Sequence, residues 1–246
     1  MMTTTVAYER RGPAAWVTLD RPEAHNALTY EMYEALHECC ERGDADDEVR
    51  ALVLRGAGGR AFVSGTDIRQ FLEFASGDDG LAYEARIERI IGRLEAVGKP
   101  TIALVDGFAM GAGLVLAAAC DLRICTPAAR FGLPIARTVG NCLSMENYAR
   151  LVAVVGEARL TDIVFTARAV EAPEALAIGL ATEVVEDAEA RVEELCALLA
   201  THAPVTIRVT KEALRRLRPL ADGDDLVREA YSSDEFRRRV EAFLAR

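Results

Sequence analysis

Two glycine-rich turns carry the groups of this sequence that are best placed to do chemistry. Each lies where a strand is followed by a helix: SGTDI at residues 64–68 and MGAGL at residues 110–114. The first amides of a helix have no acceptor inside it, and glycine lets the backbone turn tightly and lets a ligand approach closely. We therefore expect the amides of Thr66 and Ala112 to point into one cleft. Two donors to one oxygen would form an oxyanion hole, which stabilises negative charge on a carbonyl oxygen.

The second turn has two other interpretations. Gly111 and Gly113 could simply permit close packing of a helix against a strand. The turn could also belong to a dinucleotide fingerprint, but GAGLVL lacks the third small residue and no acidic partner follows at the expected distance. A Rossmann-type oxidoreductase is therefore the least favoured hypothesis.

The residues around these turns predict an α/β fold with parallel strands. Alternating apolar and polar residues on either side of Gly12-Pro13 predict a β-hairpin. A helix is predicted from its cap at Thr29 to a stop at Gly43, and a polar helix is predicted over residues 80–97. Short buried strands are predicted over residues 49–56, 101–107 and 121–126. Strand–turn–helix units that recur in this way are typical of parallel sheets.

Composition excludes several classes of protein. The chain has 246 residues, half of them apolar, and a net charge of -10, which argues against a nucleic acid or an anionic membrane as partner. No signal peptide is predicted, and the longest apolar run, 114–120, is far shorter than the roughly 20 residues of a membrane span. The six cysteines have no metal-binding spacing, so reduced thiols and a cytoplasmic location are expected.

Several long motifs resemble those of the enoyl-CoA hydratase/isomerase (crotonase) superfamily. LDRPEAHNALT (19–29) resembles the N-terminal signature of that family. RAFVSGTDIRQF (60–71) resembles its loop with the pattern F-x-x-G-A-D-I, and residues 99–140 resemble its central signature. Residues 165–185 and 203–214 resemble later blocks. The resemblance covers nearly the whole chain. It implies a spiral of ββα units with coenzyme A thioesters as substrates.

The resemblance also assigns roles by position. It places the two oxyanion amides on Thr66 and Ala112, and it implies no cofactor beyond the coenzyme A moiety and no metal. His25 is either a coenzyme A contact or a plain surface histidine, and Lys211 is a candidate phosphate contact or part of a solvated helix face. Asp67 is also expected to cap its helix. The residues implied for coenzyme A and acyl binding are Ala24, His25, Gly65, Asp67, Ile68, Met110, Gly111, Leu133 and Pro134.

The resemblance further implies an arrangement of the whole chain. Residues 1–186 are expected to form the spiral core that binds the acyl-CoA. Residues 187–246 are expected to form a helical region that packs on a neighbouring subunit or on the body, giving a homotrimer or a dimer of trimers. The segment 69–83 is expected to cover the acyl pocket.

The sequence departs from the family where the hydratases carry two glutamates. Val115 and Ile135 stand at those positions, and both are apolar. Positioned acid–base groups are worth roughly 10²–10⁴-fold in rate, so ordinary hydration is not expected. Glu146 is the first candidate for a replacement base, because Ser144 would cap its helix and the helix dipole favours a carboxylate there. An acid in a first turn can equally be a simple stabiliser of the helix.

Other polar residues near the changed segment have less specific interpretations. Asn141 and Arg137 are candidates to bind a second substrate oxygen or a carboxylate. Alternatively, each serves only as a loop hydrogen bond or a surface charge. Asp121 is expected to be structural. The leading hypothesis is an acyl-CoA enzyme of fatty acid metabolism, an isomerase or a lyase, and the alternative is a catalytically silent acyl-CoA-binding protein.

Overall fold

The computed structural model describes residues 5–218 and 223–245, and its strands form two sheets. The strands are β1 (Val6–Arg11), β2 (Ala14–Leu19), β3 (Ala51–Gly56), β4 (Ala61–Val63), β5 (Thr101–Val105), β6 (Phe108–Met110), β7 (Leu122–Cys125), β8 (Arg130–Gly132), β9 (Ala169–Glu171) and β10 (Glu183–Val184). One sheet has the order β1-β2-β3-β5-β7-β10, and the other has the order β4-β6-β8-β9. β1 and β2 form the antiparallel hairpin that was predicted around Gly12-Pro13.

Helices connect the strands and follow them to the C-terminus. In the described part of the chain they are α1 (Tyr30–Ala45), α2 (Gly77–Glu95), α3 (Ala112–Ala119), α4 (Ile135–Thr138), α5 (Met145–Val155), α6 (Glu157–Thr166), α7 (Ala172–Ala177), α8 (Ala188–Ala200), α9 (Pro204–Arg216), α10 (Asp224–Ser232) and α11 (Asp234–Leu244). Two short 3₁₀ turns, Pro22–Ala24 and Ile68–Phe71, lie beside the first glycine turn. No helix of the described ranges is both long and apolar enough to cross a membrane.

From β3 to β8, consecutive strands alternate between the two sheets, and this produces a spiral. β3 and β4 are followed by α2, β5 and β6 by α3, and β7 and β8 by α4 and α5. β3, β5 and β7 are parallel neighbours in one sheet, as are β4, β6 and β8 in the other. Each ββα unit therefore adds one strand to each sheet. This confirms the predicted crotonase-like spiral and differs from the single doubly wound sheet of a Rossmann fold.

Helix α1 begins as predicted but ends later. The Thr29 side chain accepts a hydrogen bond from the Met32 amide and caps the helix, which continues through Gly43 to Ala45. Gly43 is buried because α1 lies close to the sheet at this point: a Cβ atom there would lie 2.9 Å from Cδ1 of Leu52. This glycine therefore permits a close approach and does not stop the helix. The polar helix predicted over 80–97 is α2, which lies two to three residues earlier.

The C-terminal helices pack against the body of the same chain. Helix α8 covers the outer face of the six-stranded sheet, where Val192, Leu195 and Cys196 pack with Trp16. Helix α10 packs on α2, and α11 packs on the 3₁₀ turn Ile68–Phe71 and on α4. The division predicted at residue 186 stays a prediction, and residues 1–4, 219–222 and 246 of its two ranges lie outside the described residues.

An aromatic cluster joins the end of the chain to the segment 69–83. Tyr231 of α10 and Phe236 of α11 lie within 5.0 Å of each other, measured between ring centroids. Both contact Phe71, whose ring also meets Tyr83 edge-on at 5.0 Å. Aromatic pairs at such distances add stability beyond their buried area. The cluster therefore fixes α10 and α11 over the segment that was expected to cover the acyl pocket.

Candidate active site

A cavity of about 570 Å³ lies beside both glycine turns. Gly65 and Thr66 line it from the first turn, and Gly111 and Ala112 line it from the second. The remaining wall comes from α2, α4, the loop before α5, and the end of α11. Its apolar members include Phe71, Ile87, Ile91, Val139, Leu143, Phe243 and Leu244. A mostly apolar cavity with a few convergent polar groups is typical of a small-molecule site.

The two glycine turns touch each other. A Cβ atom on Gly111 would lie 3.7 Å from the Cα atom of Gly65, and these residues have φ values of +55° and +129°. Both conformations favour glycine. Gly113 has a different reason, because a Cβ atom there would lie 2.1 Å from the carbonyl oxygen of Val63. The close-packing interpretation therefore holds for Gly113, whereas Gly65 and Gly111 shape the turns themselves.

The amides of Thr66 and Ala112 are left without an acceptor. Hydrogen bonds between described residues use the amides on either side: Asp67 donates to the Leu28 carbonyl at 2.8 Å, and Gly111 donates to the Gly132 carbonyl at 2.9 Å. No hydrogen bond within the described ranges uses the amide of Thr66 or Ala112. Ala112 is the first residue of α3, where an amide has no partner in the helix.

The Thr66 side chain ties the first turn to two helices. Its Oγ1 atom lies 2.8 Å from the Tyr33 hydroxyl of α1 and 2.7 Å from the Tyr83 hydroxyl of α2. Burial raises the pKa of both tyrosines well above the ordinary value, so both hydroxyls remain protonated at neutral pH. The three hydroxyl groups hold the turn in place. No pattern in the sequence indicated this cluster of hydroxyl groups.

Asp67 anchors the other side of the first turn. It caps the 3₁₀ turn through the Arg69 amide at 3.2 Å and accepts a hydrogen bond from Arg21 at 2.9 Å. The Arg69 guanidinium, followed by that of Arg21, lowers the pKa of the Asp67 carboxyl to about 2. This carboxylate therefore stays ionised and paired. Ala24, His25 and Ile68 also line the cavity.

The two positions expected to hold glutamates face the cavity with apolar side chains. Val115 of α3 is 2% exposed and Ile135 of α4 is 9% exposed, and both line the cavity. Met110 and Pro134 lie along the same wall. Leu133, which was expected there too, is fully buried and is not among the lining residues because its side chain belongs to the main core.

The structure places Glu146 outside this cavity. Ser144 caps α5 as predicted, and its Oγ accepts a hydrogen bond from the Asn147 amide. Glu146 in the first turn lines a second cavity, of about 540 Å³, together with Glu88 of α2. Asn147, one residue later, lines the first cavity instead. A step of one residue turns a helix by about 100°, so Glu146 points away from the glycine turns.

Three other candidates from the sequence, Lys211, Asp121 and Arg137, do not line the cavity. Lys211 of α9 is only 14% exposed at its side chain and donates to Asp121 at 2.6 Å and to the Lys99 carbonyl at 2.8 Å. Asp121 also accepts from the Thr101 amide at 2.7 Å, which confirms the structural role expected for it. Arg137 is exposed and does not line the cavity. In the described ranges, no group of three His, Cys, Asp or Glu residues is arranged to hold a metal ion.

A buried carboxyl that sequence reasoning missed lies in the wall of the cavity. Glu84 of α2 is 4% exposed and lines both cavities. Its oxygens accept hydrogen bonds from the Ser144 amide at 3.0 Å and from the Tyr231 hydroxyl at 2.7 Å. Burial raises the pKa of the Glu84 carboxyl to about 7, although both hydrogen bonds oppose the shift.

Asn141 continues the same network. Its Nδ2 atom donates to the Tyr231 hydroxyl at 3.0 Å, and its Oδ1 atom is buried with no hydrogen-bond partner among the described residues. Asn141 lines the cavity. Buried polar atoms are nearly always hydrogen-bonded, so the free oxygen is available to a donor that enters the cavity.

Comparison with known proteins assigns the chain to a family. The sequence profile of the enoyl-CoA hydratase/isomerase family matches residues 9–232. The short-chain-enoyl-CoA hydratase of Clostridium acetobutylicum is 33% identical over 252 aligned residues, covering 99% of this chain and 96% of that protein. The chain belongs to the enoyl-CoA hydratase/isomerase family.

Solved structures agree with this assignment. An enoyl-CoA hydratase/carnithine racemase from Magnetospirillum magneticum superposes with a TM-score of 0.84 at 31% identity, covering 99% of this chain and 93% of that one. An enoyl-CoA hydratase/isomerase from Xanthobacter autotrophicus gives 0.87 at 28% identity, covering 98% and 96%. The crotonase fold therefore extends over both chains almost completely.

The sequence did contain a signal for Glu84, which this family resemblance does not supply. Gly80, Glu84, Ile87 and Ile91 recur at spacings of three and four residues, so they share one face of a helix. Glu84 is the charged residue on an otherwise apolar face. A carboxyl in such a position is buried when the helix packs and needs donors there.

Proposed function

We propose that this member of the enoyl-CoA hydratase/isomerase family is an acyl-CoA-processing enzyme that stabilises a thioester enolate with the amides of Thr66 and Ala112. The contact between the Gly65 and Gly111 turns carries the proposal, because it leaves two amides without acceptors on one cavity. A thioester oxygen between them would be polarised, and the adjacent α-hydrogen would become more acidic. Removal of one such donor typically costs about 2.7–4 kcal/mol of barrier.

The rest of the cavity fits the two parts of such a substrate. Apolar side chains from Ile87, Val115 and Ile135 suit an acyl chain. The coenzyme A moiety would lie along Ala24, His25 and the 65–69 loop, where the guanidinium groups of Arg21 and Arg69 share the single carboxylate of Asp67. We further propose a cytoplasmic enzyme that needs no cofactor beyond this moiety.

The test is a panel of acyl-CoA thioesters incubated with the protein in D₂O and followed by mass spectrometry. The panel contains crotonyl-CoA, a saturated acyl-CoA and a malonyl-type thioester. Deuterium gained at the α-carbon, or any turnover, supports the proposal because both require stabilised negative charge on the thioester oxygen. A panel left unchanged, with coenzyme A binding intact, contradicts it.

The apolar side chains of Val115 and Ile135 favour one alternative, a protein that binds acyl-CoA without turning it over. In that case the thioester would protect the protein against thermal unfolding, but no thioester would gain deuterium. The two candidates therefore differ in the isotope measurement and agree in the binding measurement.

A further inference from the structure

We propose that Glu84 moves the proton in this cavity, and that the reaction is the shift of a double bond from the 3-position to the 2-position of an enoyl thioester. The inference rests on the proposed function, because it needs the enolate to be stabilised at the two amides. It replaces Glu146 as the candidate base. It also selects isomerisation over hydration.

Elimination among the titratable groups of the cavity leads to Glu84. Those among the lining residues are Arg21, His25, Asp67, Arg69, Tyr83 and Glu84. Asp67 is held ionised between two arginines, and the Tyr83 hydroxyl is occupied by Thr66. His25 remains a rival to Glu84 and enters the test below.

Helix α2 brings Glu84 to the wall of the cavity that the two glycine turns also line. The preceding residue, Tyr83, bonds to the side chain of Thr66, whose amide is one of the two donors. On its other side, Glu84 is held by the Ser144 amide and the Tyr231 hydroxyl. Each oxygen of a carboxylate has two lone-pair sites, so two remain after these bonds. Glu84 is thus oriented by the protein and can still accept a proton.

The electrical surroundings of Glu84 suit proton transfer at neutral pH. Burial raises the pKa of its carboxyl to about 7, and a catalytic group works best when its pKa lies near the working pH. Glu88 and Glu146 add to this rise through their negative charge. The titratable groups that face Glu84 are Tyr33 of α1, Tyr83 and Glu88 of α2, Cys142 before α5, Glu146 and Tyr148 of α5, and Asp224 and Tyr231 of α10.

One carboxyl is sufficient for a double-bond shift. The Glu84 carboxylate takes a proton from C2 of a 3-enoyl thioester, and the C–H electron pair forms a dienolate whose oxygen lies between the two amides. The protonated carboxyl then returns the proton to C4, the double bond forms between C2 and C3, and the carbonyl is restored. Protons and electrons balance without water or a redox partner. Hydration by a pair of carboxylates would need a second such group beside Glu84, and the apolar side chains of Val115 and Ile135 offer none.

The test uses trans-3-hexenoyl-CoA and follows the ultraviolet absorbance of the conjugated product. The wild-type protein is expected to form trans-2-hexenoyl-CoA. Glu84→Gln should lower kcat roughly 10²–10⁴-fold, the usual worth of a positioned acid–base group, while coenzyme A affinity stays unchanged. Glu157→Gln, an exposed acid at the start of α6, is the matched control and should behave like wild type.

A second variant keeps the proposal testable if Glu84→Gln folds poorly. The Tyr231 hydroxyl favours the ionised carboxyl, so Tyr231→Phe should raise the pKa of Glu84 and move the acid limb of the kcat profile to higher pH. A purely structural role for Tyr231 would lower activity without moving that limb. An unmoved limb therefore overturns the proposal.

Two further outcomes separate this inference from the proposed function. If the wild type exchanges or converts a thioester while Glu84→Gln does the same at an equal rate, Glu84 is not the base and the enolate proposal stands. If Glu146→Gln or His25→Gln loses turnover while Glu84→Gln stays active, that other residue is the base. Glu84 is then not the base, and the enolate proposal again stands. If the wild type leaves every thioester unchanged and without deuterium, the proposed function itself fails.

Discussion

At the scale of residues, the groups proposed to stabilise charge are backbone amides, so their removal requires a change of backbone. Ala112→Pro deletes one donor at the first position of α3, where proline fits a helix without breaking an internal hydrogen bond. We expect kcat to fall about 10²–10³-fold while the unfolding temperature changes little. Steady-state kinetics with whichever thioester the wild type converts would measure this.

The chain offers a matched control for that substitution. Glu157 is the first residue of α6, follows a glycine as Ala112 does, and is exposed. Glu157→Pro should keep wild-type kcat, because Glu157 is not among the residues that line the cavity beside the glycine turns. Equal losses in the two proline variants would show that the effect comes from the backbone change and not from a missing oxyanion donor.

The buried carboxyl of Glu84 also predicts a pH dependence of stability. The pKa of this group is about 7 in the folded protein and 4.5 in its reference state, so the folded protein binds the extra proton between these values. The free energy of unfolding should therefore fall as pH rises from about 4.5 through 7, by about 3 kcal/mol in total. Glu84→Gln lacks the titrating carboxyl, so its free energy of unfolding should not show this fall with pH.

Urea unfolding of wild type and Glu84→Gln between pH 5 and pH 8 would measure the difference. The variant should gain stability relative to wild type as pH increases. If the free energies of unfolding of the two proteins change with pH in parallel, Glu84 is not held in the buried, protonatable state described above.

Residue by residue, the sequence indicated the two glycine turns beside the cavity but not which carboxyl lines it. Gly65 and Gly111 indicate their turns, because these backbone conformations favour glycine. The family resemblance identifies Val115 and Ile135 as the residues at the two glutamate positions. Glu146 and Glu84 could not be ranked in this way. Which of two carboxyls is buried depends on how α5 and α10 pack on α2, and that packing joins residues far apart in the chain.

At the scale of elements, glycines decide how closely helices lie on the sheets. Gly113→Ala would place a methyl group 2.1 Å from the Val63 carbonyl oxygen, so α3 would have to move. Overpacking of this kind typically costs about 1–3 kcal/mol, and it would also displace the amide of Ala112. We expect a lower free energy of unfolding together with a lower kcat.

Gly92 of α2 gives the comparison for Gly113. Its nearest neighbour for an added methyl group is the flexible end of Glu88, at 3.1 Å. Alanine is favoured over glycine inside a helix by roughly 0.8–1 kcal/mol, so Gly92→Ala should be neutral or stabilising in the same denaturation assay. A loss equal to that of Gly113→Ala would contradict the packing argument.

The element boundaries show a similar limit of sequence reasoning. Caps at Thr29 and Ser144 were predicted because a side-chain oxygen before an apolar run is a local signal. The predicted helix end at Gly43 was wrong, because a glycine can either stop a helix or permit its close approach to a neighbour. Here the contact with Leu52 of β3 requires the close approach.

At the scale of the whole molecule, α9 is tied to the body of the chain by the ion pair of Lys211 with Asp121, yet it leaves several apolar side chains exposed. None of its residues is buried, and Val205, Val209 and Leu214 are exposed, as is Leu198 of the preceding helix. Single exposed apolar residues are common, but Val205 and Val209 lie one turn apart on the same face of α9, and adjacent exposed apolar side chains are typical of an interaction surface. Together with the family resemblance, this supports the predicted homotrimer or dimer of trimers.

Light scattering coupled to size-exclusion chromatography tests that assembly. We expect the mass of a trimer or a hexamer, and Val205→Asp with Val209→Asp should reduce it, because burying two carboxylates in an apolar interface is costly. Leu226→Asp, at a single exposed leucine of α10, is the control and should leave the mass unchanged. A monomeric wild type would contradict the prediction. In that case the exposed apolar side chains of α9 would need another partner.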